Sequence, residues 1–387
     1  MKILHLPRPV AVAVAMLALG ANAYAADVQI YGRIDTGLMY ENSNPSNGAT
    51  EHSTSMESGI AGASLWGFKI TEDLGNGMKV NVRLEGKINS DDGSLGTEGS
   101  IFDRDSYIEL ESAYGSVRFG RTGMLASGVA GGIFAGRTNP FGVVYKTAGA
   151  LNVFQGAAHR VSNMVRYESP KVAGFTFYGQ YSNGTGLSTD PSEGDDSVRC
   201  SQKDRYAALG VTYANRGLRL SLVADNYFYN DVDGEKKGFD DPQSVGFAAD
   251  YKFGAFRVYG GYQFAKNLRT SIFGMNAQQG DANIFMVGAT WDVWGGTFMT
   301  SSAFGKVDEF SYSSSTGKTR YDKELDAWQF ALGYKYPLSK RTMIYGVVSY
   351  RDADLNYSST TVASGKVENR DEREKTNQVM FGIQHKF

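Results

Sequence analysis

One stretch of the sequence carries basic side chains with no acidic residue near them along the chain. Between Glu111 and Glu168 there is no Asp or Glu, although Lys and Arg recur through the interval. The basic residues are Arg118, Arg121, Arg137, Lys146, Arg160 and Arg166. A guanidinium group stays charged and offers a planar fork to carboxylate or phosphate oxygens. The interval therefore predicts a region of positive potential that attracts anions.

Residues that commonly perform catalysis or bind metals are sparse. Beyond residue 25 the histidines are His52, His159 and His385, and the single cysteine is Cys200. The sequence has no G-x-S-x-G, H-E-x-x-H or P-loop motif. Asp231-Val232-Asp233-Gly234 matches only part of a calcium loop. We predict no catalytic residue, cofactor or metal, and a hydrolase built from distant strands is the minor alternative.

The composition excludes several classes of protein. The chain has 387 residues, of which 13% are aromatic, and its mean hydropathy is -0.32. A disordered chain would have far fewer aromatic residues. A net-polar chain without a long apolar run does not form a bundle of membrane helices. The 39 Lys and Arg balance 41 Asp and Glu, which disfavours nucleic acid as a partner.

Residues 1–25 have the features of a secretory signal peptide. Lys2 and Arg8 form a basic start, an apolar run covers 10–19, and Ala23-Tyr24-Ala25 has the form of a cleavage site. We therefore expect an exported protein with one domain over 26–387.

Apolar and polar residues alternate over about ten positions at a time in the rest of the chain. The first segment places Val28, Ile30, Ile34, Leu38 and Tyr40 on one parity and Gln29, Tyr31, Arg33 and Asp35 on the other. A period of two puts the two sets on opposite faces of a strand. The same alternation recurs to the last segment, which ends at Phe387.

The connections between these segments differ in length. Short turns rich in Gly and Asn occur at 72–77, 113–115, 169–174, 215–217, 252–254, 294–296 and 337–340. Long polar connections are expected at 42–57, 182–203, 228–243, 265–283, 307–325 and 352–375. Short turns on one rim and long loops on the other are typical of an outer-membrane barrel. Seven hairpins plus a first and a last strand give about 16 strands.

A soluble β-sandwich is the competing architecture, because it also alternates apolar and polar residues. Its strands are usually about 5–6 residues long, and its inner faces are apolar. Here Arg83 and Glu85 lie in mid-strand, opposite Val82 and Leu84. The sequence therefore predicts an all-β fold, an antiparallel transmembrane β-barrel with short periplasmic turns and long extracellular loops.

Fragments spread along the chain carry a resemblance to a known family. They are ADVQIYGRIDTGL (26–38), SLWGFKITEDLGNGMKV (64–80), YGSVRFGRT (114–122), NMVRYESPKVAGFTFYGQYS (163–182), LGYKYPLSKRTMIY (332–345) and FGIQHKF (381–387). In this order they resemble the general porins of Gram-negative bacteria, of the beta-proteobacterial type. The resemblance implies a homotrimeric channel of about 16 strands in the outer membrane, with its third long loop folded into the lumen.

Residues 123–160 are the candidate for this constriction loop. The stretch is Gly-rich and more apolar than the other long connections, with Ile133, Phe134 and Phe141 among its residues. A loop packed against an inner wall needs such residues, whereas a loop in water does not. The alternative is an external loop with a small hydrophobic cap.

A pore-lining set follows from the loop and from strand parity. It comprises Arg33, Arg83, Arg118, Arg121, Arg137, Lys146, Arg160, Asp35, Glu85 and Glu109. Low-dielectric walls focus the field of such charges. We predict a general diffusion channel that prefers anions, although Asp35, Glu85 and Glu109 could neutralise part of the positive charge. A channel specific for one solute is the alternative.

The remaining expectations concern partners. We expect contact with outer-membrane lipid and lipopolysaccharide, passage of small hydrophilic solutes and ions, and no nucleic acid. By the resemblance, Phe387 is part of the signal read by the outer-membrane assembly machinery. Acidic loop residues such as Asp190, Asp195 and Asp240 are either solvated or bind divalent cations that bridge lipopolysaccharide.

Overall fold

The chain folds into a closed antiparallel β-barrel. The computed structural model describes residues 26–46, 48–186, 204–229, 231–232, 235–236, 240–268, 271–275, 280–313, 319–361 and 366–387. Over these residues the barrel has 16 strands. Strand β2 consists of two segments. Both segments pair with β1, one after the other, so they count as one interrupted strand. The predicted fold class is confirmed.

The strands follow one another around the barrel in chain order. They are β1 (Asp27–Pro45), β2 (Glu51–Ser58 and Leu65–Gly75), β3 (Met78–Lys87), β4 (Asp105–Ser112), β5 (Gly115–Gly123), β6 (Arg160–Glu168), β7 (Phe175–Ser182), β8 (Arg205–Asn215), β9 (Leu218–Phe228), β10 (Gln243–Phe253), β11 (Phe256–Lys266), β12 (Ala282–Val293), β13 (Gly296–Ser313), β14 (Thr319–Pro337), β15 (Thr342–Thr361) and β16 (Lys366–Lys386). The seven predicted short turns all join neighbouring strands.

The barrel closes where the first strand meets the last. Strands β1 and β16 pair from Arg33 opposite Lys386 to Pro45 opposite Glu374. Two further backbone bonds, 3.2 and 3.1 Å long, join Gly32 to the terminal Phe387. Closure leaves no strand edge with unpaired backbone groups, which lipid could not solvate.

The two faces of the barrel have the predicted parity. Ile30, Leu209 and Phe381 expose 67%, 72% and 56% of their surface on the outer face. Inward positions are buried and of both kinds: Gln329 and Gln378 are polar, whereas Met299 and Met380, which lie on the same face, are apolar. Aliphatic and aromatic side chains therefore form the lipid-facing band. Among the described residues, no helix is long and apolar enough to cross a membrane.

Three of the predicted long connections are mostly strand. In the predicted connection 42–57, β1 continues to Pro45 and β2 begins at Glu51. The ladder between β13 and β14 continues to Ser313 opposite Arg320, inside the predicted connection 307–325. The ladder between β15 and β16 continues to Thr361 opposite Lys366, inside the predicted connection 352–375. These stretches are mostly polar, with isolated apolar residues such as Phe310 and Leu355, and polarity alone does not prevent strands from pairing. Cys200, Asp190 and Asp195 lie outside the described residues, as does the predicted signal peptide 1–25.

Barrel closure predicts a distinct role for Phe387 in assembly. Deleting Phe387 removes two backbone hydrogen bonds and the ring that lies over Gly32. We expect slower folding into lipid vesicles and a smaller folded fraction, measured by heat-modifiable electrophoretic mobility. The matched control is Phe285→Leu, because Phe285 is an outward aromatic of β12, a strand that takes no part in the closure. Equal folding of the deletion variant and the intact chain would contradict this role.

Candidate functional site

The segment between β5 and β6, residues 124–159, lies inside the barrel and is called the inner loop below. It contains two short 3-10 turns, Ala135–Arg137 and Lys146–Ala148. Phe134, Phe141 and Phe154 are almost fully buried there. The alternative of an external loop with a hydrophobic cap is therefore excluded, and the predicted inward-folded third loop is confirmed.

Glycines on the barrel wall let the inner loop approach closely. A Cβ atom at Gly246 of β10 would lie 2.9 Å from the Phe134 ring. Thr138 packs on Gly261 of β11 in the same way, and Pro140 packs on Gly288 of β12. A side chain at any of these wall positions would clash with the inner loop. The three glycines therefore allow the loop to pack directly against the backbone of the wall.

Inward glutamines of the wall satisfy the backbone of the inner loop. Gln180 and Gln263 accept hydrogen bonds from the amides of Leu125 and Gln155, at 3.0 and 2.8 Å. At the far end, Gln378 accepts from the Thr147 amide at 3.1 Å, and Gln329 donates to the Gly149 carbonyl at 3.1 Å. Buried backbone groups need such partners, because each unpaired group costs about 1–3 kcal/mol.

A cavity of about 650 Å³ separates the inner loop from the wall formed by β1, β2 and β3. We call it the cationic cavity. Among the described residues around it, the charged ones are Arg33, Arg83, Lys87, Arg104, Lys146, Arg160 and Glu85. Six of these seven side chains are basic, so the potential inside the cavity is positive.

The carboxylates next to the cavity are buried behind the arginines. Glu85 has a side chain only 1% exposed, and it binds Arg83 at 2.7 Å and Arg104 at 2.6 Å. Asp105 is equally buried and lies 3.3 Å from Arg83 and 3.8 Å from Arg160. Two acids therefore fix three guanidinium groups. The two acids are 1% exposed, whereas Arg83, Arg104 and Arg160 are 26%, 15% and 10% exposed, so the more accessible charge is positive.

Asp35 stabilises the inner loop and lies close enough to Arg33 to reduce the positive potential around that guanidinium group. It is fully buried and accepts hydrogen bonds from Tyr345 at 2.9 Å and Gln384 at 2.8 Å. The Tyr345 ring packs edge-on against Tyr145 of the inner loop, with centroids 5.5 Å apart. Arg33, two residues earlier in β1, donates instead to the Ala63 carbonyl at 2.9 Å and extends across Gly62.

The structure brings together half of the predicted set. Arg33, Arg83, Lys146, Arg160 and Glu85 line the cationic cavity, where Lys146 also binds Glu57 at 2.7 Å. Arg104 and Lys87 were not in the predicted set. Lys87 shares the parity of Arg83 and Glu85, so strand parity could have predicted its inward position. Arg104 lies at the end of a loop without periodicity, and no sequence pattern marks it.

The other predicted residues lie elsewhere. Arg118 and Glu109 pair with each other at 2.7 Å on the wall toward the short turns. Arg121 is opposite Ser106, on the outward parity of Phe119, and binds the Asp103 carbonyl at 2.9 Å. The predicted pore-lining position of Arg121 therefore differs from the observed one. The reason is that Arg121 lies on the odd-numbered, lipid-side parity of β5.

The described part of the chain gives little support for catalysis or metal binding. His52 binds Asn42 at 2.8 Å, and His385 lies 2.9 Å from the Thr342 hydroxyl, at separate places on the barrel. Within the described ranges no group of three His, Cys, Asp or Glu residues could hold a metal ion.

Comparisons with known proteins agree with this geometry. A family model of Gram-negative porins matches residues 11–356. The chain is 30% identical to an outer membrane porin protein of Bordetella pertussis, over 97% of this chain and 98% of that one. It is 29% identical to outer membrane porin protein 32 of Delftia acidovorans, over 97% and 99%. Among solved structures, the anion-selective porin from Comamonas acidovorans is 25% identical, with a TM-score of 0.61 over 94% of this chain and all of that one.

The close packing at Gly246 predicts control of the pore by one wall residue. Gly246→Val would place methyl groups in the space of the Phe134 ring, and overpacking of this kind costs about 1–3 kcal/mol. We expect a displaced inner loop and a larger single-channel conductance in a planar bilayer. Gly260→Val is the matched control, since Gly260 is on the neighbouring strand and a Cβ atom there would meet nothing within 4 Å. Equal conductance of both variants would show that Gly246 does not control the pore.

Proposed function

Because the chain belongs to the Gram-negative porin family, we propose that the cationic cavity is the constriction of a general diffusion channel that prefers anions. The barrel lies in the outer membrane, and its lumen passes small hydrophilic solutes and ions. Barrels of 16 strands are wide enough to leave water inside. The inner loop narrows this lumen.

The burial of the carboxylates beneath the arginines is the main support for the proposed anion preference. Glu85 and Asp105 are each 1% exposed, whereas Arg83 has 26% and Arg104 15% of its side chain exposed to the lumen. An ion in the cavity therefore meets guanidinium groups before it meets a carboxylate. The similar structure from Comamonas acidovorans is that of an anion-selective porin, which agrees with this direction.

A channel specific for one solute is the second candidate. Apolar side chains such as Val129, Val143 and Leu151 line the cationic cavity beside its charged groups and would contact one preferred solute. Membership of the porin family favours general diffusion. Family and fold also point to a channel and not to an enzyme.

The assembly state and the remaining partners are part of the proposal. Trp66, Phe68 and Phe102 form an aromatic cluster on the outer face, with ring centroids 5.5 to 6.5 Å apart. Aromatic clusters of this size are typical of subunit contacts, and they support a homotrimer. Lipopolysaccharide around the long loops and the assembly machinery acting on Phe387 complete the set of partners.

Removing an unpaired cavity charge should weaken anion preference. Among the described residues, Arg33 donates to a backbone carbonyl and has no ion pair within 4 Å, so Arg33→Gln breaks no ion pair with them. We expect the anion-to-cation permeability ratio to fall about two- to fivefold, as for the loss of ~0.5–1 kcal/mol in a hydrated site. The measurement is the reversal potential in a KCl gradient. Arg341→Gln, in an exposed periplasmic turn, is the control of equal charge. A ratio that is unchanged, or a wild-type preference for cations, would refute the proposed filter.

Salt should weaken the preference in the intact channel. The Debye length falls from ~30 Å at 0.01 M to ~3 Å at 1 M, so dissolved ions screen the cavity charges at high salt. We expect the anion-to-cation permeability ratio to decrease steadily over this range at a fixed concentration gradient. A ratio independent of salt would mean that pore size, and not charge, selects the ions.

A further inference from the structure

A second group of arginines lies on the opposite wall from the cationic cavity. Arg219 of β9 binds Asp250 of β10 at 2.9 Å, and Arg257 of β11 binds the same carboxylate at 2.5 Å. The Asp250 side chain is 1% exposed, whereas Arg219 and Arg257 are 44% and 24% exposed. The design repeats that of Glu85 with Arg83 and Arg104: one buried acid orients two guanidinium groups toward the lumen.

The strand register places this group on the periplasmic side of the inner loop. Asp250 is opposite Arg219 on one side and Tyr259 on the other. It is the next inward position after Ala248, about 7 Å further toward the short turn at Gly254. Ala248 is 1% exposed, in the same buried cluster as Phe134 and Ala135 of the inner loop. The inner loop therefore covers the wall at Ala248. One inward position further on, at the level of Asp250, the partly exposed Arg219 and Arg257 face the lumen.

The inner loop brings a third arginine to the same wall. Arg137 ends the 3-10 turn that lies between the contacts of Phe134 with Gly246 and of Thr138 with Gly261. Burial lowers the pKa of Arg137, and the nearby Arg219 guanidinium lowers it further. No hydrogen bond or ion pair to another described residue holds the Arg137 guanidinium. A half-buried cation beside Arg219 is stabilised when an anion binds between the two guanidinium groups.

The nearby acids leave the group positive. Asp250 is shared by two arginines, and Glu168 on the other side of Arg137 lies 3.6 Å from Arg166. Arg137, Arg219 and Arg257 with Asp250 carry a formal charge of +3 − 1 = +2. Guanidinium groups bind oxyanions through paired, charge-assisted hydrogen bonds.

We propose that Arg137, Arg219 and Arg257 form a second anion-binding site, on the periplasmic side of the inner loop, for small oxyanions of the phosphate or carboxylate type. An anion that has passed the cationic cavity meets this site before it leaves the barrel. The site stands on its own geometry and does not depend on the selectivity of the cavity.

Crystals soaked in sodium selenate test the location of the site. Selenate is an oxyanion whose selenium gives an anomalous signal. We expect a peak within hydrogen-bonding distance of Arg137 and Arg219 in the wild type and in Arg341→Gln. We expect none in Arg137→Gln, which breaks no ion pair. Arg257→Gln, which keeps Arg219 on Asp250, should also lose occupancy. No peak at this wall, or a peak that persists in Arg137→Gln, would overturn the proposal. A peak in the cationic cavity alone would overturn it while leaving the proposed filter intact.

Inorganic phosphate provides the functional measurement. Phosphate on both sides of a planar bilayer should reduce the chloride current with saturation. Losing one charged hydrogen bond should raise the half-inhibiting phosphate concentration of Arg137→Gln about tenfold. Arg341→Gln should match the wild type. Equal inhibition of wild type and Arg137→Gln would contradict the second site.

Discussion

The hydrogen-bonding demand of the backbone in lipid is the constraint on which this structure depends. A strand edge exposed to hydrocarbon has no partner for its amides and carbonyls, so the sheet must close on itself. Gly32 and Phe387 complete that closure with the last backbone groups of the chain. Sixteen strands cannot fill their interior with wall side chains, and the inner loop occupies part of that space against inward residues such as Met286 and Met299. The same demand recurs in the lumen, where Gln180, Gln263 and Gln378 satisfy the backbone of the inner loop.

Within that interior, a buried acid shared by two arginines is the recurring electrostatic unit. Glu85 orients Arg83 and Arg104, and Asp250 orients Arg219 and Arg257. A buried carboxylate without partners would be very unfavourable, so the arginines are needed for its burial. Because each unit has one more cation than anion, its net charge is positive. Each unit therefore orients its guanidinium groups and makes the electrostatic potential around it positive.

Much of this architecture could be predicted from the sequence, because strand parity is a local signal. The parity of Val28 and Ile30 against Arg33 and Asp35 predicted the two faces, and the Gly-rich turns predicted the hairpins. Parity does not say which acids are buried, and Asp35 and Glu85 therefore could not be separated from solvated charges. Arg104 and Asp250 belong to the sites through contacts between distant segments. Such contacts leave no pattern along the chain.

The long ladders of β13 to β16 have a consequence outside the bilayer. A strand crosses the hydrocarbon with about 9–11 residues, whereas β15 has 20 and β16 has 21. About half of each hairpin therefore extends beyond the bilayer as paired β-sheet, on one side of the channel mouth. The backbone groups of these extensions are satisfied within the sheet, so outside the hydrocarbon they do not depend on water as a partner.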